Sequence, residues 1–148
     1  MPFPASTLAP SILLVEDDAA DALLIREALM RADNTRSVTR VGDGVEALEY
    51  LRDPGKARPD LIVLDLNMPR MGGQELLAIL KADTALQVVP AVVLSTSQAP
   101  EDVAGAYAGH ANAYVTKPVD LDDFNDAVRN IDAFFLDVAC TPPRDIAG

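Results

Sequence analysis

Short runs of apolar residues recur along the chain without the polar–apolar alternation of a half-exposed strand. They are Ile12–Val15, Leu61–Leu64, Ala91–Leu94, Ala113–Val115 and the weaker run Ser37–Val41. Strands that are covered on both faces have continuous apolar runs, which is typical of parallel sheets. The pattern therefore predicts five strands inside one parallel sheet.

Segments in which apolar residues follow a helical spacing separate these runs. One of them, after Leu61–Leu64, opens with Met71-Gly72-Gly73, a sequence suited to the start of a helix. The alternation of strand and helix repeats five times along the chain. It predicts a doubly wound α/β fold with right-handed crossovers.

The last helical segment has the most regular apolar pattern. Spacings of three and four residues alternate along Leu121, Phe124, Val128, Ile131, Phe135 and Val138. The first four of these residues predict a stripe that faces the core. Phe134-Phe135-Leu136 widens the apolar surface beyond what the sheet would cover, which predicts a self-association face. Pro142-Pro143 is predicted to end the helix.

The composition is that of a single folded domain. The chain has 148 residues, of which 49% are hydrophobic, so it can bury a core despite a net charge of −11. We expect one domain at residues 11–139, between short tails at residues 1–10 and 140–148. The single cysteine, Cys140, excludes a disulfide framework, and we interpret it as an unused thiol.

The charge and the apolar stretches also exclude classes of partner. A pI near 4.3 argues against a nucleic-acid-binding surface and against an anionic membrane, because both need cationic patches. The longest apolar stretch, Val88–Leu94, is too short to span a membrane. The N-terminus lacks the basic start and apolar run of a secretory signal. We therefore expect a cytoplasmic protein that binds neither nucleic acid nor membrane.

Polar side chains follow four of the predicted strands. In chain order they are Glu16-Asp17-Asp18, Asp65, Ser95-Thr96-Ser97 and Lys117-Pro118. Ligands of open parallel sheets bind beyond the carboxyl ends of the strands. Three acidic positions, several hydroxyls and one ammonium are therefore predicted to meet at one edge of the sheet.

This set of side chains favours phosphoryl chemistry with a divalent cation. Crowded carboxylates repel each other, and a hard cation with oxygen ligands relieves the repulsion. Because no cysteine is near and the one histidine, His110, lies far along the chain, magnesium is favoured over zinc. Asp65 is an oxygen nucleophile that would form an acyl phosphate, while Lys117 and Ser95 would meet the added charge.

The segments ILLVEDD, LIVLDLNMP, VVLSTS and AYVTKP, in this order and spacing, resemble the receiver domain of bacterial two-component response regulators. The resemblance covers about residues 11 to 135. It implies a five-stranded flavodoxin-like (β/α)5 fold and a Mg²⁺ cofactor. It also implies phosphoryl transfer from a phosphohistidine of a sensor histidine kinase.

The resemblance assigns a role to each matching residue. Asp65 matches the phosphoacceptor, and Ser95 and Lys117 match the residues that bind the phosphoryl group. The metal ligands would be Glu16, Asp17, Asp65 and Asn67. Tyr114 matches the aromatic switch residue, which turns inward as Ser95 moves, and the Lys117–Pro118 peptide bond is expected to be cis.

A narrower resemblance comes from LDLNMP, LSTSQAPED, AYVTKPVDLDDF and the aromatic end of the last helix. These stretches resemble the stand-alone regulators that pair with phytochrome-type histidine kinases. That subgroup implies a homodimer through the last strand and helix, with Tyr114, Phe124, Phe134 and Phe135 in its interface. Since the chain ends soon after the last helix, we expect no output domain.

Two residues depart from the family pattern. His110 stands where receivers usually have glycine, and we interpret it as an exposed loop residue. Thr96 stands where many have alanine, which narrows access to the phosphoryl group. A magnesium-dependent phosphatase is an alternative, but it would carry a second acid at the position of Asn67. A pseudo-receiver that acts only as an interaction module is the other alternative.

Overall fold

The computed structural model describes residues 10–140 and residue 142. Its strands are β1 (Ser11–Val15), β2 (Ser37–Val41), β3 (Leu61–Leu64), β4 (Ala91–Ser95) and β5 (Ala113–Thr116). They form one parallel sheet in the order β2-β1-β3-β4-β5. Each predicted apolar run is a strand, and the predicted parallel sheet is confirmed. The predicted tails lie almost wholly outside the described residues.

In the part of the chain that the structure describes, five α-helices connect and follow the strands. They are α1 (Ala19–Ala32), α2 (Gly44–Arg52), α3 (Gly73–Ala82), α4 (Pro100–Ala108) and α5 (Leu121–Asp132), with a π-helix at Ala133–Val138. Aspartates start three of them, because the carboxylates of Asp18, Asp43 and Asp120 accept backbone N–H bonds in the first turns of α1, α2 and α5. No described helix is both long and apolar enough to cross a membrane.

The core has two halves, one on each face of the sheet. Alternate residues of β1 point to opposite faces, so Leu13 packs with residues of α2, α3 and α4, while Leu14 packs with residues of α1 and α5. All four residues of β3 are buried. Because helices cover both faces, the strands contain the uninterrupted apolar runs from which they were predicted.

The last helical segment differs from the predicted stripe at its first residue and in its conformation after Asp132. Phe124, Val128 and Ile131 are buried as expected, but Leu121 is 54% exposed because it starts α5 beside the exposed Val119, beyond the cover of the sheet. From Ala133 onward the chain is π-helical, and Ala139 N–H donates to Phe134 O. This change of register rotates the side chains that follow.

The π-helix sets the exposure of the last apolar residues and the point at which the helical segment ends. Phe134 and Val138 are 54% and 71% exposed, beyond the four residues predicted to face the core, whereas Phe135 packs partly on the core. The helical segment ends at Val138, before Pro142, so Pro142 does not terminate it and Pro143 lies outside the described residues.

Candidate functional site

The carboxyl ends of the strands bring three acidic side chains together. Glu16 and Asp17 directly follow β1, and Asp65 directly follows β3, its neighbour in the sheet. One carboxylate oxygen from each lies within 4.8 Å of the other two. Oxygen ligands at this spacing suit a small divalent cation. The three predicted carboxylate ligands are thus adjacent, as their positions after parallel strands indicated.

Lys117 enters this cluster from the end of β5. Its backbone N–H donates to Ser95 O at 2.7 Å, which fixes the residue beside β4. Its Nζ lies 2.6 Å from Glu16 Oε1 and 3.5 Å from Asp65 Oδ2. The Lys117 side chain is only 5% exposed, so its charge acts on the carboxylates with little screening by water.

A fourth carboxylate, which the sequence pattern did not single out, also binds Lys117. Asp21 Oδ2 lies 2.9 Å from Lys117 Nζ, and its side chain is 33% exposed. Asp21 stands three residues after the helix-capping Asp18, in the first turn of α1. Its place in the first turn of α1 was the feature from which Asp21 could have been predicted as a site residue, because a side chain there lies near the edge of the sheet where β1 ends.

Burial and charge together shift the protonation of the cluster. Burial raises the pKa of Glu16 to about 7, although the hydrogen bond from Lys117 acts to lower it. Burial alone would lower the pKa of Lys117, but the contacts with Glu16 and Asp21 outweigh it and raise that pKa. Lys117 therefore remains charged at neutral pH, and a cation bound at this cluster would favour the ionised form of Glu16.

Asp65 is held by the backbone around it. Its own N–H donates to Val15 O at 3.0 Å, and its Oδ1 accepts a hydrogen bond from Leu66 N–H at 2.7 Å. The side chain is 13% exposed, so part of it is accessible to a reactant. Asn67 follows two residues later in the loop before α3, with an exposed side chain.

Ser95 and Tyr114 are linked through Ser97. Ser95 is fully buried at the end of β4, and its Oγ accepts a hydrogen bond from Ser97 N–H at 3.2 Å. Tyr114 Oη donates to Ser97 O at 2.8 Å. A displacement of the Ser95 hydroxyl would therefore disturb the segment that holds the Tyr114 ring. On the other side, Tyr107 Oη accepts the backbone N–H of Tyr114 at 3.2 Å.

The cleft beside Lys117 is open and partly apolar. It has a volume of about 230 Å³ and is lined by Asp21, Leu24, Thr96, Lys117, Pro118, Val119, Leu121 and Phe124. Thr96 is exposed among these residues. The Lys117–Pro118 peptide bond is not cis, contrary to the prediction, and trans is the lower-energy form of an X–Pro bond.

Family membership follows from comparison with known proteins. The response regulator receiver domain profile matches residues 12–129. The chain is a response regulator receiver domain. It is 38% identical over 135 residues to response regulator Rcp1 from Synechocystis sp., a match that covers 88% of this chain and 92% of Rcp1.

Solved structures agree with this assignment. The phosphorylated cyanobacterial phytochrome response regulator RcpA matches the receiver with a TM-score of 0.87 at 43% identity, over 91% of this chain and 99% of RcpA. The Mn²⁺-bound form of Rcp1 matches with a TM-score of 0.85 at 37% identity, over 90% and 99%. The predicted family and flavodoxin-like fold are confirmed. The receiver is thus a signalling domain of the two-component type, whose partner is a sensor histidine kinase.

The predicted dimer residues do not form one surface. Phe124 is 5% exposed in the core between α5 and the sheet, so its assignment to a dimer interface is wrong. Tyr114 packs on the face of the sheet covered by α2, α3 and α4, whereas Phe135 packs on the opposite face. Phe134 is the exposed aromatic residue of the predicted set, and its ring meets Phe135 edge to face, with centroids 5.0 Å apart.

Proposed function

We propose that the receiver accepts a phosphoryl group on Asp65 from a phosphohistidine of a sensor histidine kinase. A carboxylate oxygen of Asp65 attacks phosphorus, the P–N bond breaks, and its electron pair returns to the imidazole of the donor. The observation that supports this proposal is the partly open Asp65 carboxylate with the Lys117 ammonium at 3.5 Å. A nucleophile that is already ionised needs no separate base.

A magnesium ion fits the same cluster. Glu16, Asp17 and Asp65 offer three carboxylate oxygens within 4.8 Å of one another, and we propose that Asn67 adds a backbone carbonyl. The ion would neutralise charge that develops on the phosphoryl oxygens. The related Rcp1 has been crystallised with bound Mn²⁺, another oxygen-preferring cation, which supports this proposal for the present chain.

Lys117 and Ser95 would bind the transferred group. The ammonium of Lys117 offers a point charge to one phosphoryl oxygen, and the Ser95 hydroxyl offers a hydrogen bond to another. Ser95 would then release Ser97 N–H, and Tyr114 would turn inward. Water attack on the acyl phosphate, with release of inorganic phosphate and one proton, would restore the Asp65 carboxylate slowly.

The proposed reaction can be tested with a small phosphodonor. Incubation with acetyl phosphate and Mg²⁺ should add the mass of one phosphoryl group, detected by intact-protein mass spectrometry. Asp65→Asn should add none, whereas Asp122→Asn, which alters an exposed carboxylate of α5, should react like the wild type. An unmodified wild-type chain would support the pseudo-receiver alternative instead.

The kinase is proposed to be of the phytochrome type. RcpA is a phytochrome response regulator, and the present chain is 43% identical to it. We propose that this transfer takes place in the cytoplasm, where ATP phosphorylates the histidine of the kinase. A purified phytochrome-type kinase with a ³²P-labelled phosphohistidine should transfer the label in seconds to minutes. An unrelated kinase treated in the same way should transfer far less, and equal transfer would contradict the assignment.

We also propose that the domain spans residues 11–139, because the described strands and helices run from Ser11 to Val138.

We further propose that the last strand and the last helical segment form a homodimer. Phe134 and Val138 expose apolar surface near the end of that segment. In light scattering, Phe134→Glu should give a smaller species than the wild type. Leu23→Glu, at a 57% exposed position of α1, is the control, and no difference between the two variants would contradict the dimer face.

A further inference from the structure

The Lys117 ammonium contacts three carboxylates. One of them, Asp21, is neither a proposed metal ligand nor the proposed phosphoacceptor. The distances from Nζ are 2.6 Å to Glu16, 2.9 Å to Asp21 and 3.5 Å to Asp65. An ammonium has three N–H donors, so these contacts engage all of them. Since the contact with Asp65 is the longest, the Lys117 ammonium lies closer to Glu16 and Asp21 than to Asp65, the residue on which it would bind a phosphoryl group.

Asp21 differs from Glu16 in its relation to a divalent cation. The oxygen cluster that suits a cation contains Glu16, Asp17 and Asp65, and Asp21 is not part of it. A cation in this cluster would compete with Lys117 for the oxygens of Glu16 and Asp65. The contact between Asp21 and Lys117 would remain, so Asp21 is the carboxylate that still holds the ammonium when the site is loaded.

We propose that Asp21 is a positioning residue that competes with the phosphoryl group for Lys117 and so weakens binding of that group. The proposal rests on the proposed role of Asp65. The phosphoryl group on Asp65 would carry about 1.5–2 negative charges in place of the single charge of the free carboxylate, and Asp21 contacts the same ammonium. Repulsion between the two anions and the shared use of Lys117 both oppose phosphoryl binding.

The same geometry predicts the opposite effect on a cation that binds alone. The negative charge of Asp21 attracts a divalent ion at the neighbouring oxygens. Without Asp21, Lys117 would be free to shift further onto Glu16 and Asp65 and compete with the ion. Loss of this one carboxylate should therefore weaken Mg²⁺ binding and strengthen phosphoryl binding. A change that merely loosened the fold would weaken both.

The experiment measures both affinities in Asp21→Asn by isothermal titration calorimetry. Mg²⁺ is titrated alone, and beryllofluoride, a reversible phosphoryl mimic, is titrated at saturating Mg²⁺. We expect Mg²⁺ affinity to fall about three- to ten-fold and beryllofluoride affinity to rise by a similar factor, which is the scale of one partly screened charge. Asp21→Glu keeps the charge and should restore both affinities towards the wild-type values.

Asp122→Asn controls for net charge, because it removes an exposed carboxylate from α5. The proposal would be overturned if Asp122→Asn showed the same opposite changes in Mg²⁺ and beryllofluoride affinity as Asp21→Asn. It would also be overturned if Asp21→Asn had the affinities of the wild type, or if both of its affinities fell. None of these results would contradict phosphoacceptance by Asp65. If the wild type bound no beryllofluoride and took no phosphoryl group, the proposed function would fail as well. Asp21→Ser repeats the test if circular dichroism shows that Asp21→Asn is unfolded.

Discussion

Arg36 and Asp132 form a buried, two-pronged ion pair that joins the loop before β2 to the end of α5. Arg36 Nε and Nη2 donate to the two carboxylate oxygens of Asp132 at 2.9 and 3.1 Å. The side chains are 3% and 2% exposed, and Arg36 also reaches Asp137 of the π-helix at 2.8 Å. The hydrogen bond with Asp132 raises the pKa of Arg36, so the guanidinium stays charged. The pair fixes the start of the π-helix against the sheet.

Removal of either partner should therefore destabilise the fold. Arg36→Met leaves the buried Asp132 carboxylate without its partner, and the free energy of unfolding should fall by about 3–5 kcal/mol in urea titrations. Asp132→Ala should cost less, because Arg36 keeps its contact with Asp137. The double variant Arg36→Met with Asp132→Leu should lose much less, because no buried charge remains. Arg129→Ala breaks the surface pair with Asp126 and should cost under about 1 kcal/mol. A single variant as mild as Arg129→Ala would contradict the importance of the buried pair.

Gly73 is predicted to be irreplaceable because α3 begins against the end of β3. A Cβ at this position would overlap the carbonyl oxygen of Asp65 and lie 2.9 Å from Leu66 Cα. Gly73→Ala should lower the free energy of unfolding by about 1–3 kcal/mol and also reduce phosphoryl uptake, because the displaced backbone belongs to Asp65. Gly109→Ala is the matched control, since its Cβ would meet only atoms at 3.4 Å or more. Equal stability of the two variants would refute the close approach.

His110 occupies a backbone conformation that favours glycine. Its φ is 70°, in the exposed loop between α4 and β5, and an L side chain is disfavoured there. His110→Gly should raise the free energy of unfolding by about 1 kcal/mol, and His110→Val should lower it. Ala108→Gly, in the exposed last turn of α4, should be destabilising instead. A loss of stability in His110→Gly would show that the imidazole itself stabilises the loop.

The pair of Asp43 and Arg70 should make stability depend on acid pH. Arg70 Nε donates to the buried Asp43 carboxylate at 2.7 Å, and this bond, with the backbone N–H of Glu46, lowers the pKa of Asp43. A lowered folded-state pKa stabilises the protein above the unfolded value of 3.8, and the gain disappears as pH falls through the folded-state value. Wild type should therefore exceed Arg70→Met in stability at pH 7, and the difference should shrink below pH 3.8.

Urea titrations of both proteins from pH 7 downward would measure this difference. Arg52→Met, which removes an exposed arginine at the end of α2, supplies the control for net charge. Its difference from wild type should change little over the same pH range. A pH-independent difference in Arg70→Met would show that the ion pair does not set the acid stability.

The sheet and most of the site could be predicted because both follow from local patterns. Leu61–Leu64 is buried at all four positions, so it has the continuous apolar run of a covered parallel strand. Glu16, Asp65 and Lys117 could then be grouped, since parallel strands bring the residues after them to one edge. The site followed from the topology, and the topology followed from the apolar pattern.

The features that escaped prediction depend on contacts between distant residues. Arg36 lies 96 residues before Asp132, and Asp21 lies 96 residues before Lys117, so no periodic pattern joins either pair. The apolar spacing continues through Phe135 without a sign that the helix becomes π-helical at Ala133. The sequence pattern is compatible with Phe124 in the core or in a dimer face, and only the packing of α5 shows that the core takes it.

The hydroxyl of Tyr107 has a consequence for how the sheet ends. β5 is an edge strand, and edge strands with free N–H groups can recruit a strand from another chain and start aggregates. In this receiver the backbone N–H of Tyr114 is already bound by Tyr107 from α4. The phenol of Tyr107, on the neighbouring helix, thus occupies a backbone donor with which a strand of another molecule could otherwise pair, and it leaves less of this edge open to strand addition.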